Sequence, residues 1–377
     1  MWLPCYNVMD YHLNIGETMK VGRRAFLEKL LVITGSSALV GCSDKDSPQP
    51  LQDNTSTPTS PQTVDTQSAS PTTESNPLLK GLDLNNFVLH NPKPLALESI
   101  RAGIGMGAIT ATSRLFVRNN LPSPDESIVN NAGNWRIEIE GVKNVSSFTL
   151  DDLKQFAYAN LCSVLQCSGN GRKFFKHGPS GSQWATGAAG CVMWGGVWLK
   201  DLIEACGGAL DGMNYFTATG GEELPKDVPR DKAVVERSIP LEKGLKDCLI
   251  AWELNGEPIP LSHGGPVRFV VPGYFGCNQI KYVNRIAATK EQSRAKIMSS
   301  GYRFRDIGEK GNSKHPSMWR MPVKSWIIDA QETTPNVFRV HGVAFSGERG
   351  VQKVEYSLDG TNWKQAAFYG PDLGVHA

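Results

Sequence analysis

The order of apolar and polar positions between residues 81 and 322 predicts strands mixed with short helices. "NWRIEIEGV", residues 134–142, alternates in the way of a half-buried strand. In "SSFTLDDLKQFA", Thr149 precedes two aspartates, which predicts a helix start. "WGGVWLKDLIEACGG" predicts a turn and then a helix closed by Gly207-Gly208, and "GPVRFVVPGYFG" predicts a short apolar strand. Because strands and helices do not alternate regularly, the pattern favours an α+β fold over a doubly wound sheet.

From about residue 323 the pattern changes to short strands only. "VKSWIIDAQ", "NVFRVHGVAFSG", "VQKVEYSLDG" and "TNWKQAAFYG" follow one another at the spacing of a β-sandwich, with Asp359-Gly360 as a hairpin turn. Residues 323–377 supply only about half of the roughly 100 residues that an immunoglobulin-like sandwich uses. We therefore expect an incomplete sandwich, in a chain that stops inside its second domain.

The first 42 residues carry the signals of an exported lipoprotein. From Met19, a basic start with Arg23-Arg24 leads into a moderately apolar run that ends in Leu39-Val40-Gly41-Cys42. This arrangement is typical of a twin-arginine signal peptide. The last four residues resemble a lipobox, in which Cys42 receives the lipid, so we expect a periplasmic, lipid-anchored protein. Residues 1–18 are then an upstream extension. A buried helix with a chance Arg-Arg pair is the alternative.

Residues 43–80 separate this segment from the globular chain. They are rich in Ser, Thr, Pro and Gln and hold few large apolar side chains. Such a segment cannot bury enough surface to offset the entropy of ordering, so we expect a disordered linker. The predicted organisation is an anchor, a linker, a domain at 81–322 and a second domain at 323–377.

Composition and charge exclude little. The 377 residues are 40% hydrophobic and 20% charged, with a formal net charge of +2. This near-neutral balance, without a run of Lys or Arg, gives no support to nucleic-acid binding. No apolar stretch reaches the roughly 18 residues of a membrane span. Contact with a membrane is therefore expected only through a lipid.

Six cysteines remain when Cys5 and Cys42 are set aside, at positions 162, 167, 191, 206, 248 and 277. Three disulfides are one interpretation for an oxidising compartment. The spacing matches no disulfide framework, however, and favours separate buried thiols. The sequence contains no Cys-x-x-Cys-His for covalent haem and no His-Glu-x-x-His for zinc.

Cys167 is the cysteine whose surroundings suggest chemistry. It lies in "LQCSGNGRKFF", on a Gly-Asn-Gly turn near Arg172. A cationic setting stabilises the thiolate, which is a nucleophile or a soft-metal ligand. No Cys-His-Asn arrangement accompanies it, which disfavours a cysteine hydrolase. One thiolate is not a metal site by itself, so the other donors would have to come from a cofactor.

Several blocks of the chain, taken together, resemble the sulfite oxidase family of molybdopterin enzymes. They are "FVRNNLPSPDE", "LQCSGNGR", "SGSQWATGAAGCVMWGGVWLKDLI", "IAWELNGEPIPLSHGGPVRFVVPGYFGCNQIKYVNRI" and "VHGVAFSGERGVQKVEYSLDGTNWKQA". They follow the family's order over about residues 110–370. The resemblance implies a mixed α/β molybdenum-cofactor domain followed by an immunoglobulin-like dimerisation domain, here apparently truncated.

The same resemblance implies roles for individual residues. Cys167 matches the single protein ligand to molybdenum. Arg118 and Arg172 match arginines that gather the substrate anion, which suits their planar guanidinium groups. Trp184 matches a tryptophan of that pocket, and Tyr302 matches the active-site tyrosine. Surface salt bridges for the arginines, a core role for Trp184 and a surface position for Tyr302 are the alternatives.

Residues that would hold the pterin and its phosphate are also implied. His263 could instead be a locally bonded turn residue, and the match of Asp227 is the weakest. The chain has Asn120 where the family usually has histidine, which leaves the identity of the oxyanion open. The implied cofactor-binding set is Phe116, Arg118, Asn119, Asn120, Asp227, His263, Arg268, Gln279, Ile280 and Lys281.

The implied reaction is oxidation of sulfite to sulfate by oxygen-atom transfer. Because this chain has no recognisable haem motif, the electrons would pass to a separate c-type cytochrome. A homodimer through the C-terminal domain is also implied. The alternatives are a sulfur dehydrogenase or other sulfur-compound oxidoreductase on the same scaffold, reduction of sulfoxides, and a lipoprotein that has lost catalysis and only binds a ligand.

Overall fold

The computed structural model describes residues 7–14, 31–35, 76–104, 107–371 and 373–377. Cys42, which is the predicted lipidation site, lies outside the described residues, and so does the predicted linker as far as residue 75. Leu78 and Leu79 are buried, although the sequence placed them in the linker. None of the helices that the structure describes is long and apolar enough to cross a membrane.

Two sheets form the frame of the first domain. The first has five strands in the order Glu236–Pro240, Tyr215–Gly220, Val283–Thr289, Arg136–Glu140 and Ser146–Thr149. The second runs Glu257–Pro258, Leu249–Leu254, Ala189–Trp198 and Ala159–Gln166, with Arg268–Val270 paired to Leu249–Leu254. Val283–Thr289 pairs with Arg136–Glu140 in parallel, and the other pairs in these two sheets are antiparallel. This mixed sheet with short helices confirms the predicted α+β fold.

A third, small sheet contains the segment that leads to Arg118. Its strands are Phe87–Pro92, Leu95–Ser99 and Val117–Arg118, in that order. The α-helices are short: Arg101–Ile104, Ser127–Asn130, Leu150–Leu153, Leu199–Ala205, Arg230–Ala233 and Leu241–Asp247. Single turns of other helix types lie at Pro77–Leu79, Leu84–Asn86, Thr112–Arg114, Ala132–Asn134, Arg172–Phe174, Leu261–His263, Gly276–Asn278 and Ile297–Gly301.

Two local predictions can be compared with the structure directly. Thr149 caps the helix Leu150–Leu153, because its hydroxyl accepts from the Asp152 amide while the Asp152 carboxylate accepts from the Thr149 amide. The predicted turn before Leu199 is wrong, since Gly195 and Gly196 lie inside the strand Ala189–Trp198. A Cβ on Gly196 would lie 2.0 Å from the carbonyl oxygen of Ile250, so glycine is required where the two strands approach.

The main core lies between the five-stranded sheet and the helix Leu199–Ala205. Leu199, Leu202 and Ile203 pack there against Phe216 and Ile286, and all five are buried. Burying each such side chain stabilises the fold by about 2 kcal/mol. This core fixes the strands whose ends and loops form the cavity described below.

The second domain consists of strands, as predicted. Lys324–Thr334, Val337–Phe345, Asn7–Asn14 and Ala367–Tyr369 form one sheet, and Lys364–Gln365, Lys353–Ser357 and Leu31–Gly35 form another. These strands are consistent with a β-sandwich. The turn at Asp359-Gly360 joins Lys353–Ser357 to Lys364–Gln365. Leu31–Gly35 falls within the predicted signal peptide, where its β-branched residues also suit a strand.

The two domains share a buried interface. Val164 and Phe275 of the first domain pack in one apolar cluster with Met321, Val343 and Phe345. The amide of Val164 also donates a hydrogen bond of 2.7 Å to the carbonyl oxygen of His376. The strand that leads to Cys167 is therefore held by both domains.

Candidate active site

A single cavity collects most of the predicted site residues at strand ends and short helical turns. Cys167 follows the strand Ala159–Gln166, and Arg118 ends Val117–Arg118. Tyr302 follows the π-helical turn Ile297–Gly301. The lining residues are Phe116, Arg118, Asn119, Asn120, Leu165, Cys167, Glu222, Val235, His263, Arg268, Gly276, Cys277, Gln279, Ile280, Lys281 and Tyr302. The cysteine implied as the metal ligand and most of the residues implied as cofactor contacts therefore line the same cavity.

Cys167 is held by a tight backbone turn. Its amide donates to the Ala188 carbonyl at 2.9 Å, and its carbonyl accepts from the Asn170 amide at 3.0 Å. Gly171, at a φ of 90°, then redirects the chain. The amide of Gly169 points at the Cys167 sulfur across 3.4 Å. The turn therefore fixes the sulfur at the cavity wall.

The positive charges around Cys167 do not have the expected net effect on the pKa of its thiol. Burial raises the pKa of the Cys167 thiol, and this effect outweighs the Gly169 amide and the positive charges of Arg118, Arg172 and Lys324, which lower it. The predicted cations are present and act in the predicted direction. They do not suffice to hold the thiolate by themselves. A metal cation at the sulfur would supply the missing stabilisation.

Arg172 lies against the turn in a cradle of two glycines. A Cβ on Gly169 or on Gly181 would lie 2.6 Å from its guanidinium nitrogens. One nitrogen, Nη1, donates to the carbonyl oxygen of Ser182 at 2.7 Å. Arg172 is not among the residues that line the cavity, but its charge acts on Cys167. No carboxylate pairs with it in the part of the chain that the structure describes, so it is not a salt-bridge partner there.

Trp184 occupies the core beside the cavity. It is 1% exposed and meets the rings of His90 and Phe116 edge-on, with centroids 4.7 and 6.3 Å away. It does not line the cavity itself. Its contact with Phe116 supports one wall of the site.

Basic side chains are concentrated at the end of the cavity formed by His263, Arg268 and Lys281. Burial, together with the neighbouring Arg268, lowers the pKa of Lys281 well below its usual range. Burial likewise lowers the pKa of Arg268 to about 10 and, with Lys281 and Arg268 as neighbours, that of His263 to about 3. Glu222 is the carboxyl group that lines this cavity, and burial raises its pKa to about 7. An anionic ligand would offset this surplus of positive charge.

Unpartnered polar atoms point to a polar ligand in the same place. Among the lining residues, Asn119 Nδ2, Glu222 Oε2, Arg268 Nε and Gln279 Oε1 are buried and have no hydrogen-bond partner. Buried polar atoms are normally satisfied, so such a cluster indicates a bound group that supplies the partners. The residues present therefore fit a large, polar and anionic cofactor such as a pterin phosphate.

Lys281 and Asn119 form the base of this polar set. The Lys281 ammonium donates to Asn119 Oδ1 and to the Ser262 carbonyl oxygen, both at 2.5 Å. Arg268 Nη1 donates to the His263 carbonyl at 2.8 Å. His263 Nε2 lies 3.3 Å from the Thr112 carbonyl, so it is fixed within the site rather than in its own turn. These contacts orient the cations before any ligand arrives.

Tyr302 and Asn120 face each other across the cavity wall. The Tyr302 hydroxyl donates to Asn120 Oδ1 at 3.3 Å. Burial, with the sulfurs of Cys167 and Cys277 nearby, raises the pKa of Tyr302 to about 12. The phenol therefore stays protonated at neutral pH and acts as a hydrogen-bond donor. The guanidinium of Arg237 lies 5.7 Å from its ring centre.

A metal at this site would have one protein ligand. The described residues contain no group of three or more His, Cys, Asp or Glu side chains that could hold a metal ion. The six cysteines from Cys162 to Cys277 are free thiols, as favoured over disulfides. The donor set thus suits a metal that arrives with its own sulfur ligands.

Three residues of the site escaped the sequence analysis, and one prediction is not met. Glu222 lines the cavity, whereas Asp227 is exposed on the same loop and does not. Cys277 lines it as well, and burial raises the pKa of its thiol to about 11. Arg237 is fully buried and hydrogen-bonded to Asn278 and Ser317. Arg237 is the second residue of the strand Glu236–Pro240, and nothing in the neighbouring sequence indicates that its side chain is buried.

Comparison with known proteins identifies the class. Residues 122–297 match the model of the oxidoreductase molybdopterin-binding domain. The cavity and its turn-held cysteine therefore belong to a molybdopterin-dependent oxidoreductase, and the chain is similar to the sulfite oxidases among these enzymes. Phe116, Arg118 and Tyr302 lie outside the matched range, yet the fold brings them to the same cavity.

Two relatives show the extent of the likeness. Sulfite oxidase of Arabidopsis thaliana is 28% identical over 297 residues, which cover 73% of this chain and 74% of that protein. Mitochondrial sulfite oxidase of Homo sapiens is 31% identical over 280 residues, which cover 70% of this chain. The match spans 50% of the human protein's length.

One solved structure shows the fold. It is the crystal structure of the sulfane dehydrogenase SoxCD from Paracoccus pantotrophus, with a TM-score of 0.61. The match covers 75% of this chain and 70% of that one, at 24% sequence identity. It agrees with the predicted fold class, a mixed helix and sheet fold with strands at the C-terminal end.

Proposed function

We propose that this protein oxidises sulfite to sulfate. The observation that carries the proposal is a cavity in which Arg118 and Cys167 lie beside a cluster of unpartnered polar atoms, with Arg172 packed against the turn that holds Cys167. The overall reaction consumes sulfite and water and gives sulfate, two protons and two electrons. A bound molybdenum–pterin group supplies the two-electron redox chemistry when Cys167 completes its ligand set.

The polar residues of the cavity hold the cofactor in this proposal. Arg268 and Lys281 would bind the phosphate of the pterin side chain, and His263, which is neutral because its pKa is lowered to about 3, would offer it a hydrogen bond. Asn119 and Gln279 would offer amide donors and acceptors to the ring system. Glu222 would offer a carboxylate oxygen to its amino groups.

The substrate anion is bound and oriented by the two arginines. Their planar forks suit the pyramidal arrangement of sulfite oxygens. The glycine cradle keeps Arg172 fixed, so little side-chain entropy is lost on binding. Tyr302, whose pKa is raised to about 12, stays protonated, and its hydroxyl donates to Asn120 Oδ1 at the cavity wall.

The electrons leave one at a time to a separate protein. We propose a c-type cytochrome as that acceptor, at the periplasmic face of a membrane. The support is the signal at Arg23-Arg24 and the lipobox at Cys42. Dimerisation through the second domain belongs to the same proposal.

The test is turnover by purified, molybdenum-loaded protein with sulfite and ferricyanide as a small one-electron acceptor. The proposal requires sulfite-dependent reduction with two ferricyanide ions consumed per sulfate formed. Cys167→Ser serves as the matched blank because it removes the ligand sulfur and little else. Full molybdenum occupancy without sulfite-dependent reduction would contradict the proposal.

A second candidate is oxidation of sulfur bound to a thiol. Asn120 favours it, because a neutral amide bonded to Tyr302 stands at the position where the family usually has histidine. Loss of that possible cation weakens the preference for a doubly charged anion. The same assay with a persulfide substrate separates the two candidates by the ratio of their kcat/KM values.

A further inference from the structure

Residues 184–188 lie along the turn that carries Cys167 and hold it through the backbone. The Ala188 carbonyl oxygen accepts from the Cys167 amide at 2.9 Å, and the Ala185 carbonyl oxygen accepts from the Gly171 amide at 2.6 Å. Backbone bonds at both ends of the turn leave it little freedom of its own. The position of the Cys167 sulfur therefore depends on where residues 184–188 lie.

The Glu98 side chain holds these residues from a neighbouring strand. Glu98 belongs to Leu95–Ser99, and its Oε1 accepts from the Gly187 amide at 2.9 Å. Its Oε2 lies 2.6 Å from His90 Nε2. Glu98 is 5% exposed, and a buried carboxylate is tolerated when its oxygens are paired in this way. Both oxygens are bonded, so the carboxylate is fixed in one position.

Gly187 allows the strand and the segment to approach closely. A Cβ on Gly187 would overlap the Ser99 carbonyl oxygen and would lie 2.6 Å from Glu98 Cγ, so glycine is required there. The His90 ring packs edge-on against Trp184, with the ring centroids 4.7 Å apart. Glu98 adds a charge-assisted hydrogen bond to this close packing. Residues 184–188 therefore follow the strand rather than moving independently of it.

The same strand also fixes the position of Arg118. Ala96 pairs with Arg118 in the small sheet, two residues before Glu98. Arg118 lines the cavity together with Cys167. One short strand, Leu95–Ser99, thus determines where Arg118 lies and, through the Glu98 carboxylate, where the Cys167 turn lies.

We infer that Glu98 is a positioning residue, which sets the distance between the Arg118 guanidinium and the Cys167 sulfur. The inference rests on the proposed function for the identity of the substrate. Glu98 is not among the residues that line the cavity, so it acts through the backbone that it holds. A displacement of about 1 Å between groups that orient a reaction can cost about a hundredfold in rate. The Glu98 carboxylate prevents such a displacement.

The test compares Glu98→Met and Glu98→Gln with the wild type, all as molybdenum-loaded protein. Methionine keeps the length of the side chain and removes the acceptor, whereas glutamine keeps an oxygen for the Gly187 amide. Glu332→Met is the matched control. Glu332 also accepts from a backbone amide, that of Asn336 at 2.9 Å, but it lies in the second domain.

Four properties are measured on each protein. Steady-state kinetics with sulfite and ferricyanide give kcat and KM. Metal analysis gives the molybdenum content, and electron paramagnetic resonance after partial reduction with dithionite reports the surroundings of the metal. Hydrogen exchange gives the protection of the backbone amides in residues 167–173, which does not depend on any substrate.

We expect kcat/KM of Glu98→Met for sulfite to fall about a hundredfold, mostly through kcat, at unchanged molybdenum content. Its resonance spectrum shifts, and the Cys167 and Gly171 amides exchange faster. Glu98→Gln recovers most of the rate and the wild-type spectrum. Glu332→Met agrees with the wild type. Glu98→Asp, whose carboxylate is one methylene short of Gly187, gives an intermediate fall and takes the place of Glu98→Met if that variant does not fold.

Three results would overturn the inference. The first is wild-type kcat/KM and a wild-type spectrum in Glu98→Met. The second is an equal loss in Glu98→Met and Glu98→Gln at full molybdenum content, because the acceptor oxygen would then be irrelevant. The third is a loss of molybdenum that accounts for all of the lost rate. Absence of sulfite turnover in the wild type would defeat the proposed reaction, while the spectrum and the amide exchange would still decide the role of Glu98.

Discussion

The Tyr302 hydroxyl donates a hydrogen bond to the Asn120 side chain, 182 positions earlier in the sequence. The contact joins the loop after the π-helical turn to the strand segment that carries Arg118. It places a neutral amide next to the one phenol of the cavity lining. The hydrogen-bond partner of Tyr302 is therefore a group that cannot change charge.

Tyr302→Phe tests this phenol as a hydrogen-bond donor. We expect kcat to fall about a hundredfold, the usual effect of removing one hydrogen-bond donor from a reacting site, with KM changed by less than about threefold. Steady-state kinetics with a small acceptor measure both. Tyr158→Phe is the control, because Tyr158 also donates to an acceptor, Glu253, but lies outside the cavity lining. Equal kinetics for Tyr302→Phe and Tyr158→Phe would contradict the role.

Cys167→Ser tests the metal ligand. We expect turnover to be abolished while the far-ultraviolet circular dichroism and the cooperative unfolding transition remain, since a hydroxyl is close in size to a thiol. Molybdenum analysis and activity are measured on the same sample. Cys206→Ser, a buried cysteine of the main core, is the control for thiol loss. Retention of full activity in Cys167→Ser would falsify the assignment.

Gly181→Ala tests the cradle around Arg172. The added Cβ would lie 2.6 Å from the guanidinium at a backbone φ of +102°, so both the side chain and the backbone must shift. We expect a loss of about 1 kcal/mol in unfolding free energy and a KM for sulfite raised about tenfold. Gly178→Ala, where φ is also positive but nothing lies within 4 Å, is the control. A similar KM in the two variants would show that the cradle does not orient Arg172.

The network around Lys243 predicts sensitivity to acid at the domain interface. Burial raises the pKa of Asp247 and Glu348, but hydrogen bonds from His376 and Lys243 to Asp247, and from Lys243 and Arg320 to Glu348, outweigh it and leave both values lowered. A lowered folded-state pKa gives stability that is present above the unfolded value, about 4, and is lost as the pH falls through the folded value.

We therefore expect the melting temperature to fall steeply below about pH 4. Lys243 Nζ lies 2.7 Å from Asp247 and 2.9 Å from Glu348, so Lys243→Met lowers the melting temperature at neutral pH by removing both pairs. The gap between variant and wild type should narrow in acid. A gap that is independent of pH would exclude the network as its source.

Replacement of Arg23-Arg24 by two lysines tests export. We expect the chain to stay in the cytoplasm, and Cys42→Ala to lose labelling by radioactive palmitate. Mass spectrometry of the mature N-terminus measures processing directly. A mature protein that keeps residues 7–14 and 31–35 would favour the strands that pair with the second domain over a cleaved signal.

Local pattern predicted the elements whose side chains alternate or follow a cap. Arg136–Glu140, Thr149 and the strands from Lys324 onward were found in this way. The strand at Ala189–Trp198 was partly missed, because Gly195 and Gly196 resemble a turn in sequence. Glycine is needed at these two positions because the strand lies close to Tyr158 and to the Ile250 carbonyl. Both partners are more than 30 positions away in the sequence.

The site residues that lie in short motifs were predictable from the sequence. Those that tertiary packing brings to the site were not. Cys167, His263 and Gln279 to Lys281 lie in blocks that are recognisable by residue order, and the cavity brings them together. Glu222 sits on a loop with no such block, so the neighbouring Asp227 was chosen in its place. Arg237 lies behind Tyr302 through its buried hydrogen bonds to Asn278 and Ser317, which are 41 and 80 positions away in the sequence.

The glycine cradle of Arg172 also limits the order in which this sequence can change over evolutionary time. While the guanidinium occupies the space beside Gly169 and Gly181, a side chain at either glycine must displace it. Replacement of either glycine is therefore less costly after a shorter residue has arisen at position 172. A lineage that keeps both glycines can keep or regain the arginine. A lineage with a side chain at either position has lost the space that the guanidinium needs.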